Sequence, residues 1–435
     1  MQAVTLEEAA PAAPAPSILR SLPPLLALSL AMAAGFTMMN SFSMVQESAK
    51  AELRLSDAVL GMIQGVSAAV PLVLFSIPIG ILVDRTNRVR LLIGFALIWT
   101  LGTAMTGVAG GMWSLFAARM LTGIGTTGGL TAALSLTADL CLPAERGRAL
   151  LLVNLGKSAG QAGAFALTGW ILGAFVAGSL ALSFGTTIPW RNTHLALAIV
   201  SLALSLPLLL LREPPRHEVE AGPDAPFGTA MRELWARRAF LIPLFVGQTS
   251  VVMADAAAGI WAAPVLQRNF GLLPAQFAGW LGLIVLAAGI VGAILGGLAA
   301  DLGQKTGRRG GIMIGAIVAA AFGVPAALFP VMGDVNGFRI AIGLLVLCGS
   351  ITGLVTSVAL TVLIPNELRG LCIGAFIAIA GLIGFGIAPS LVTWVSGALG
   401  GEQHLATALA IVGVTVSAIS VLCFLRAMQR APMTI

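Results

Sequence analysis

Long apolar runs, each closed by a short polar or basic segment, recur along the chain from Leu22 almost to its end. About 20 apolar residues cover the roughly 30 Å of a bilayer's hydrocarbon core. On that spacing the predicted spans are 22–46, 58–83, 89–109, 111–138, 149–178 and 190–211, then 239–266, 276–300, 311–332, 336–364, 370–396 and 404–425. Membrane β-strands are excluded, because they need alternating segments of about ten residues, whereas these runs are continuous and twice as long. The reading is an all-α polytopic membrane protein with twelve transmembrane helices.

Composition agrees. Of 435 residues 58% are hydrophobic and 10% charged, with a mean hydropathy of +0.98. A soluble domain carries about 25% charged residues, so a soluble enzyme is excluded. Cys141, Cys348, Cys372 and Cys423 stand singly, without metal-ligand spacing, and read as small packing residues. His194, His217 and His404 form no cluster. No cofactor or metal is expected.

The net charge of +6 reflects topology rather than nucleic-acid binding. With the N-terminus inside, seventeen Lys and Arg residues fall in cytoplasmic segments, among them Arg85, Arg88, Arg90, Arg232, Arg237, Arg308 and Arg369. Outer segments receive five, Lys50, Arg54, Arg191, Arg268 and Arg339. Both termini are therefore expected in the cytoplasm, with the chain in a bacterial inner membrane. The domains expected are a tail at 1–21, a six-helix bundle at 22–211, a linker at 212–238, a second bundle at 239–427 and a tail at 428–435. The Pro- and charge-rich linker has room for a short interfacial helix at Met231–Arg237.

The halves repeat one another. RLSDAVLG, ending at Gly61, is echoed by LLPAQFAG, ending at Gly279. Gly80-Ile-Leu-Val-Asp84 is echoed by Gly297-Leu-Ala-Ala-Asp301, and each Asp precedes a basic cluster: Arg85, Arg88 and Arg90, then Lys305, Arg308 and Arg309. Pro143-Ala-Glu145 is echoed by Pro365-Asn-Glu367. Three echoes in order, 217 to 223 residues apart, indicate two homologous six-helix bundles in the same orientation.

With its six helices per half and duplicated loop signature, the chain resembles a transporter of the major facilitator superfamily. Gly80-Ile-Leu-Val-Asp84-Arg85-Thr-Asn-Arg88-Val-Arg90 matches the family's loop signature, and Arg119-Met-Leu-Thr-Gly123-Ile-Gly125 its fourth-span pattern. LSDAVLGMIQG, VDRTNRVR, ARMLTGIG and TADLCLPAERGRAL further resemble the spinster-like branch. That branch implies acidic residues in spans one and four, concerned with lysolipid transport and proton coupling. This chain has Met39-Asn40-Ser41-Phe42 and Thr126-Thr127 at those places, so these roles do not carry over.

Asp84, with Gly80, Arg85, Arg88, Asp301 and Arg308, is expected to form a latch that holds the inner side closed, Gly80 permitting close helix approach. Arg119 and Lys157 are the two basic residues expected deep in spans, and Asp255 is the deep acid. Charges at such depth need a partner or a wet cavity. Asp255 is expected to take a proton or hold a sodium ion. A central substrate cavity is expected from Asn40, Ser41, Gln64, Arg119, Asn154, Lys157, Gln161, Gln248, Trp261, Ser350 and Thr352. No Walker loop or catalytic triad is present, which points to a monomeric, gradient-driven carrier working by rocking bundles. Two deep cations against one acid lean toward an anionic or zwitterionic organic solute. The alternative is a proton-driven exporter of amphipathic, lipid-like or drug-like compounds.

The topology is testable directly. A cysteine placed near Arg308 should react with a membrane-impermeant maleimide only from the cytoplasmic side, and one near Lys50 only from outside. Labelling of both from one face would overturn the twelve-span map.

Overall fold

A computed structural model describes residues 19–142, 145–180, 182–215 and 227–432. Among these residues every regular element is helical. The first six long helices are α1 (Leu22–Leu53), α2 (Asp57–Arg85), α3 (Arg88–Gly107), α4 (Met112–Asp139), α5 (Arg146–Val176) and α6 (Pro189–Leu210). The second six are α7 (Arg238–Phe270), α8 (Pro274–Lys305), α9 (Gly311–Val331), α10 (Val335–Leu363), α11 (Leu368–Ala398) and α12 (Glu402–Arg430). Eleven of the twelve are long and apolar enough to cross a bilayer. The other, α4, has 28 residues, but its Thr, Ser and Gly lower its hydropathy, and many of them are buried against other helices. A short linker helix, Phe227–Ala236, precedes α7 and overlaps the interfacial segment expected there. Residues 1–18 of the tail expected at 1–21, residues 433–435 of that expected at 428–435 and the linker stretch 216–226 lie outside the described residues. Below, "inner" denotes the face carrying Arg85 and Arg308, assigned by the charge bias.

Local sequence explains the breaks in the long helices. α2 starts where the Ser56 hydroxyl accepts the Val59 amide at 3.3 Å, an N-cap. At Pro71 it widens into a π-turn over Pro71–Phe75, since proline has no N–H to give the helix ladder. α11 has a comparable π-turn at Gly381–Ile387, just before Pro389. α1 is interrupted at Ser41, between Leu22–Asn40 and Phe42–Leu53.

The bundles meet along two interfaces, α2 against α11 and α5 against α8. Duplication makes these equivalents of each other, because α8 is the counterpart of α2 and α11 that of α5. Both are built on small residues. A Cβ on Gly61 would lie 3.0 Å from the Pro389 carbonyl oxygen, and one on Gly65 would lie 2.8 Å from that of Gly386. At the other interface, a Cβ on Gly173 would lie 2.7 Å from the Ala275 methyl, and one on Gly282 would lie 2.7 Å from the Ala162 carbonyl oxygen. In lipid the hydrophobic effect does not drive helices together, so close backbone packing is a main source of adhesion. Nearer the inner face the pattern changes: Ser76–Arg85 of α2 and the segment Asn366–Ala380 that leads into α11 make their principal contacts within their own bundles.

Gly65→Ala should therefore strain the joint between the bundles. The expected result is a loss of roughly 1–3 kcal/mol in apparent stability, the usual cost of overpacking, together with a longer distance between spin labels on the outer ends of α2 and α11. Gly80→Ala, whose Cβ meets no atom within 4 Å, should leave both measurements unchanged.

Candidate functional site

At the outer end of the joint five charged side chains form one network, with Glu47, Lys50 and Asp57 from the first bundle and Arg268 and Glu402 from the second. Arg268 donates to both Asp57 carboxylate oxygens, at 2.6 and 2.7 Å, and to both Glu47 oxygens, at 2.6 and 2.9 Å. Lys50 donates to Asp57 at 2.7 Å and also to Glu402. Glu402 accepts the Asp57 backbone N–H at 2.7 Å, so a carboxylate of the second bundle caps a helix of the first. The Asp57 side chain is only 3% exposed. Just inward, Gln46 accepts from Gln64 and donates to the Ile260 carbonyl of α7 at 2.9 Å. The outer side is thus sealed by charge, amide and glycine contacts together.

In the sequence Lys50 and Arg268 stand out only as charges of outer segments, and nothing local reveals the network as a whole. A partial signal was available in the acids Glu47 and Asp57, which lie in the same short outer segment as Lys50, while Arg268 and Glu402 stand in two other outer segments. Their pairing across the bundles required the fold.

Arg119 was expected to face the substrate. It is 3% exposed and instead donates to the backbone carbonyls of Met38, at 3.1 Å, and Met39. These carbonyls lie immediately before the break in α1, where the helix ladder loses its regular partners, and the Phe42 ring sits 5.7 Å from the guanidinium. Arg119 is a clamp on the α1 break. Ser41 is also buried there, donating to the Met38 carbonyl, whereas Asn40 is half-buried and donates to that of Phe36.

Lys157 is the twelfth residue of α5 and so about 17 Å from that helix's inner end. Its ammonium lies 5.2 Å from the centre of the Phe36 ring, and no carboxylate pairs with it among the described residues. One turn further in, Asn154 is exposed, and one turn outward Gln161 is half-buried, so a polar strip of α5 runs toward the inner side.

Asp255 is the eighteenth of the 33 residues of α7, at mid-helix and well away from the interface. One carboxylate oxygen, Oδ1, is buried without a hydrogen-bond partner, and the other lies against Gly349 of α10. Gln248 is bonded to the Thr356 hydroxyl at 3.0 Å. Ser350 and Thr352 turn their hydroxyls to carbonyls of their own helix, those of Val346 and Gly349. Trp261, expected as an aromatic cavity wall, is fully enclosed, and its indole N–H donates to the Pro389 carbonyl at 3.2 Å. Gly61 allows this, since a Cβ there would press on the indole.

Arg88, expected in the inner latch, bonds Asp139 and, at 2.7 Å, Glu213, both outside α2. No helix closes on Gly80, which faces open space. Asp84, Arg85, Asp301 and Arg308 are exposed at the inner ends of α2 and α8.

Known proteins give the arrangement a family. The sequence pattern of the Major Facilitator Superfamily matches residues 26–389. The chain is 29% identical over 263 residues to protein spinster homolog 1 of Homo sapiens, across 56% of this chain and 47% of that protein. It therefore spans about half the length of the human relative. It is 27% identical over 323 residues to a probable 4-methylmuconolactone transporter of Cupriavidus pinatubonensis, covering 71% of this chain and 68% of that one. Its fold resembles that of a bacterial homolog to the human lysosomal transporter spinster, in an inward-facing and unoccupied conformation, with a TM-score of 0.79 at 22% identity over 94% of this chain and 96% of that one. From its twelve helices, its duplicated halves and this match over most of its length, the chain belongs to the Major Facilitator Superfamily.

Proposed function

We propose that the chain is a secondary active carrier that moves a small organic solute across the cytoplasmic membrane by alternating access. The observation that carries this reading is the asymmetry of the joint, sealed at the outer end by the Arg268 network, whereas the inner ends of α2 and α11 pack chiefly within their own bundles. A solute site between the bundles is then reached from inside in this state, and rocking about the α2–α11 and α5–α8 interfaces exposes it to the other side.

In this reading Lys157 supplies the positive charge of the path and favours an anionic or zwitterionic solute, with Asn154 and Gln161 beside it. Asp255 couples transport to a proton. A carboxylate at mid-helix with an unpartnered buried oxygen is costly when ionised, so it alternates between a protonated state here and an ionised one when water or a cation reaches it. The commitment of Arg119 to backbone leaves the path with one open cation, which favours the second reading, proton-driven export of amphipathic compounds, relative to the sequence expectation. The relative named as a probable 4-methylmuconolactone transporter is consistent with the first reading.

Proteoliposome flux tests the coupling. Asp255→Asn should abolish accumulation driven by a proton gradient while solute exchange continues, because exchange need not return an empty carrier. Accumulation by the Asn variant with normal ion dependence would remove Asp255 from the mechanism. The direction of gradient-driven flux in the same vesicles separates uptake from export.

Charge selection has its own test. Lys157→Gln should weaken binding of carboxylate-bearing solutes at least about tenfold, near 1.4 kcal/mol, relative to their amides, as read by ligand-induced thermal shift. Equal loss for acid and amide would instead point to damaged packing.

The outer seal is tested by Arg268→Gln, which leaves Glu47 and Asp57 without their shared cation. Spin-label distances across the outer face should lengthen. An unchanged distribution would mean that the glycine contacts alone hold the face closed.

A further inference from the structure

We infer that Gly349 of α10 is a positioning residue for Asp255, its missing side chain making the space in which the carboxyl is held away from polar partners. This rests on the coupling role proposed above. A Cβ at position 349 would fall on Oδ2 of Asp255 and lie 2.7 Å from its Cγ and 2.8 Å from Oδ1. No side chain other than hydrogen fits, and the carboxyl therefore sits against a bare stretch of α10 backbone.

That stretch offers it little. The Gly349 carbonyl already accepts the Thr352 hydroxyl at 2.9 Å, and a carbonyl could serve only a protonated acid in any case. The neighbouring titratable group on α10 is the Cys348 thiol, which is buried. From α11 the nearby contact is Gly384 against Val252, without a charge. Cys423 of α12 lies beside Gly247, eight residues inward along α7. Arg268, with its carboxylates, is thirteen residues outward, about 20 Å away along the helix. Among the described residues no cation pairs with Asp255. Glycine at 349 thus maintains a setting that suits the neutral acid, and a larger residue would push the carboxyl out of it.

A comparison one turn along the same helix is available. A Cβ on Gly353 would lie 3.7 Å from the Gln248 amide nitrogen, an ordinary contact. Gly353→Ala adds the same methyl without touching Asp255.

The experiment measures proton-driven accumulation against pH in proteoliposomes, together with labelling of Asp255 by a hydrophobic carbodiimide, which reacts with protonated buried carboxyls. Gly349→Ala should move the midpoint of the pH profile to lower pH, by an amount equal to about a tenfold change in proton affinity. It should also reduce labelling at a given pH while leaving solute exchange intact. Gly353→Ala should match the unmodified protein. In an Asp255→Asn background Gly349→Ala should have no further effect on exchange.

A pH profile and labelling unchanged by Gly349→Ala would overturn the positioning role, as would an equal loss of exchange with and without Asp255. If Asp255→Asn itself accumulates solute normally, the coupling reading fails instead, and the two failures are distinct. Should Gly349→Ala not fold, Asp255→Ala decides: removing the carboxyl that the new methyl would meet should restore folding of Gly349→Ala, and failure to restore it overturns the inference.

Discussion

A charge taken out of water into a bilayer costs several kcal/mol unless another group compensates it, and this constraint organises the molecule. Arg268 meets it by binding two carboxylates of the opposite bundle at once. Arg119 meets it with the carbonyls that the α1 break releases, and Arg88 with Asp139 and Glu213. Each of these cations is thereby fixed in place and fixes a helix with it. Lys157 and Asp255 are the exceptions, deep in their helices and without an ion pair among the described residues. Groups left with unsatisfied electrostatics can respond to a solute, a proton or a change in hydration, which is why the proposed mechanism is placed on them.

The same accounting explains why the structure is closed on one side. An ion pair that spans the bundles holds them only while both partners are desolvated together, and water entering the joint would solvate each separately. The Arg268 network stands over glycine interfaces that bring α2 and α11 to backbone contact, and the Asp57 carboxylate at its centre is buried. Such contacts are short-ranged, so a small relative motion of the bundles abolishes them. A seal made of tight glycine packing and charges paired around a buried carboxylate is suited to two discrete states rather than to gradual opening.

Duplication gives the joint its geometry. Because α8 corresponds to α2 and α11 to α5, the two long interfaces are equivalents related by the internal repeat, and an axis between them is the natural one for rocking. The chemistry is not duplicated. Gln46 and Gln64 join across the first bundle to reach α7, while the second bundle carries Asp255 with an orphaned oxygen. In the proposed mechanism symmetry supplies the motion, and departures from it supply the selectivity and the coupling.

Much of this was legible in the chain itself. Span number, helix class and the repeat follow from hydropathy over about 20 residues and from loop motifs such as Gly80–Asp84 and Gly297–Asp301. These are local properties, fixed by what lipid demands of any contiguous segment. The depth of Asp255 and Lys157 could be read for the same reason. Partnership could not. Arg119 and Lys157 look alike in sequence, each a lone cation in an apolar span, yet one is bound to the Met38 and Met39 carbonyls and the other stands over the Phe36 ring, without an ion pair among the described residues. Trp261 looked like a cavity wall and is sealed behind Pro389, and Arg268 looked like a loop charge and ties the bundles together. A side chain's partners come from helices hundreds of residues away in sequence, and which of them lies within 3 Å is set by helix packing. Hydropathy determines that a residue is inside the membrane, and only the tertiary structure decides what it meets there.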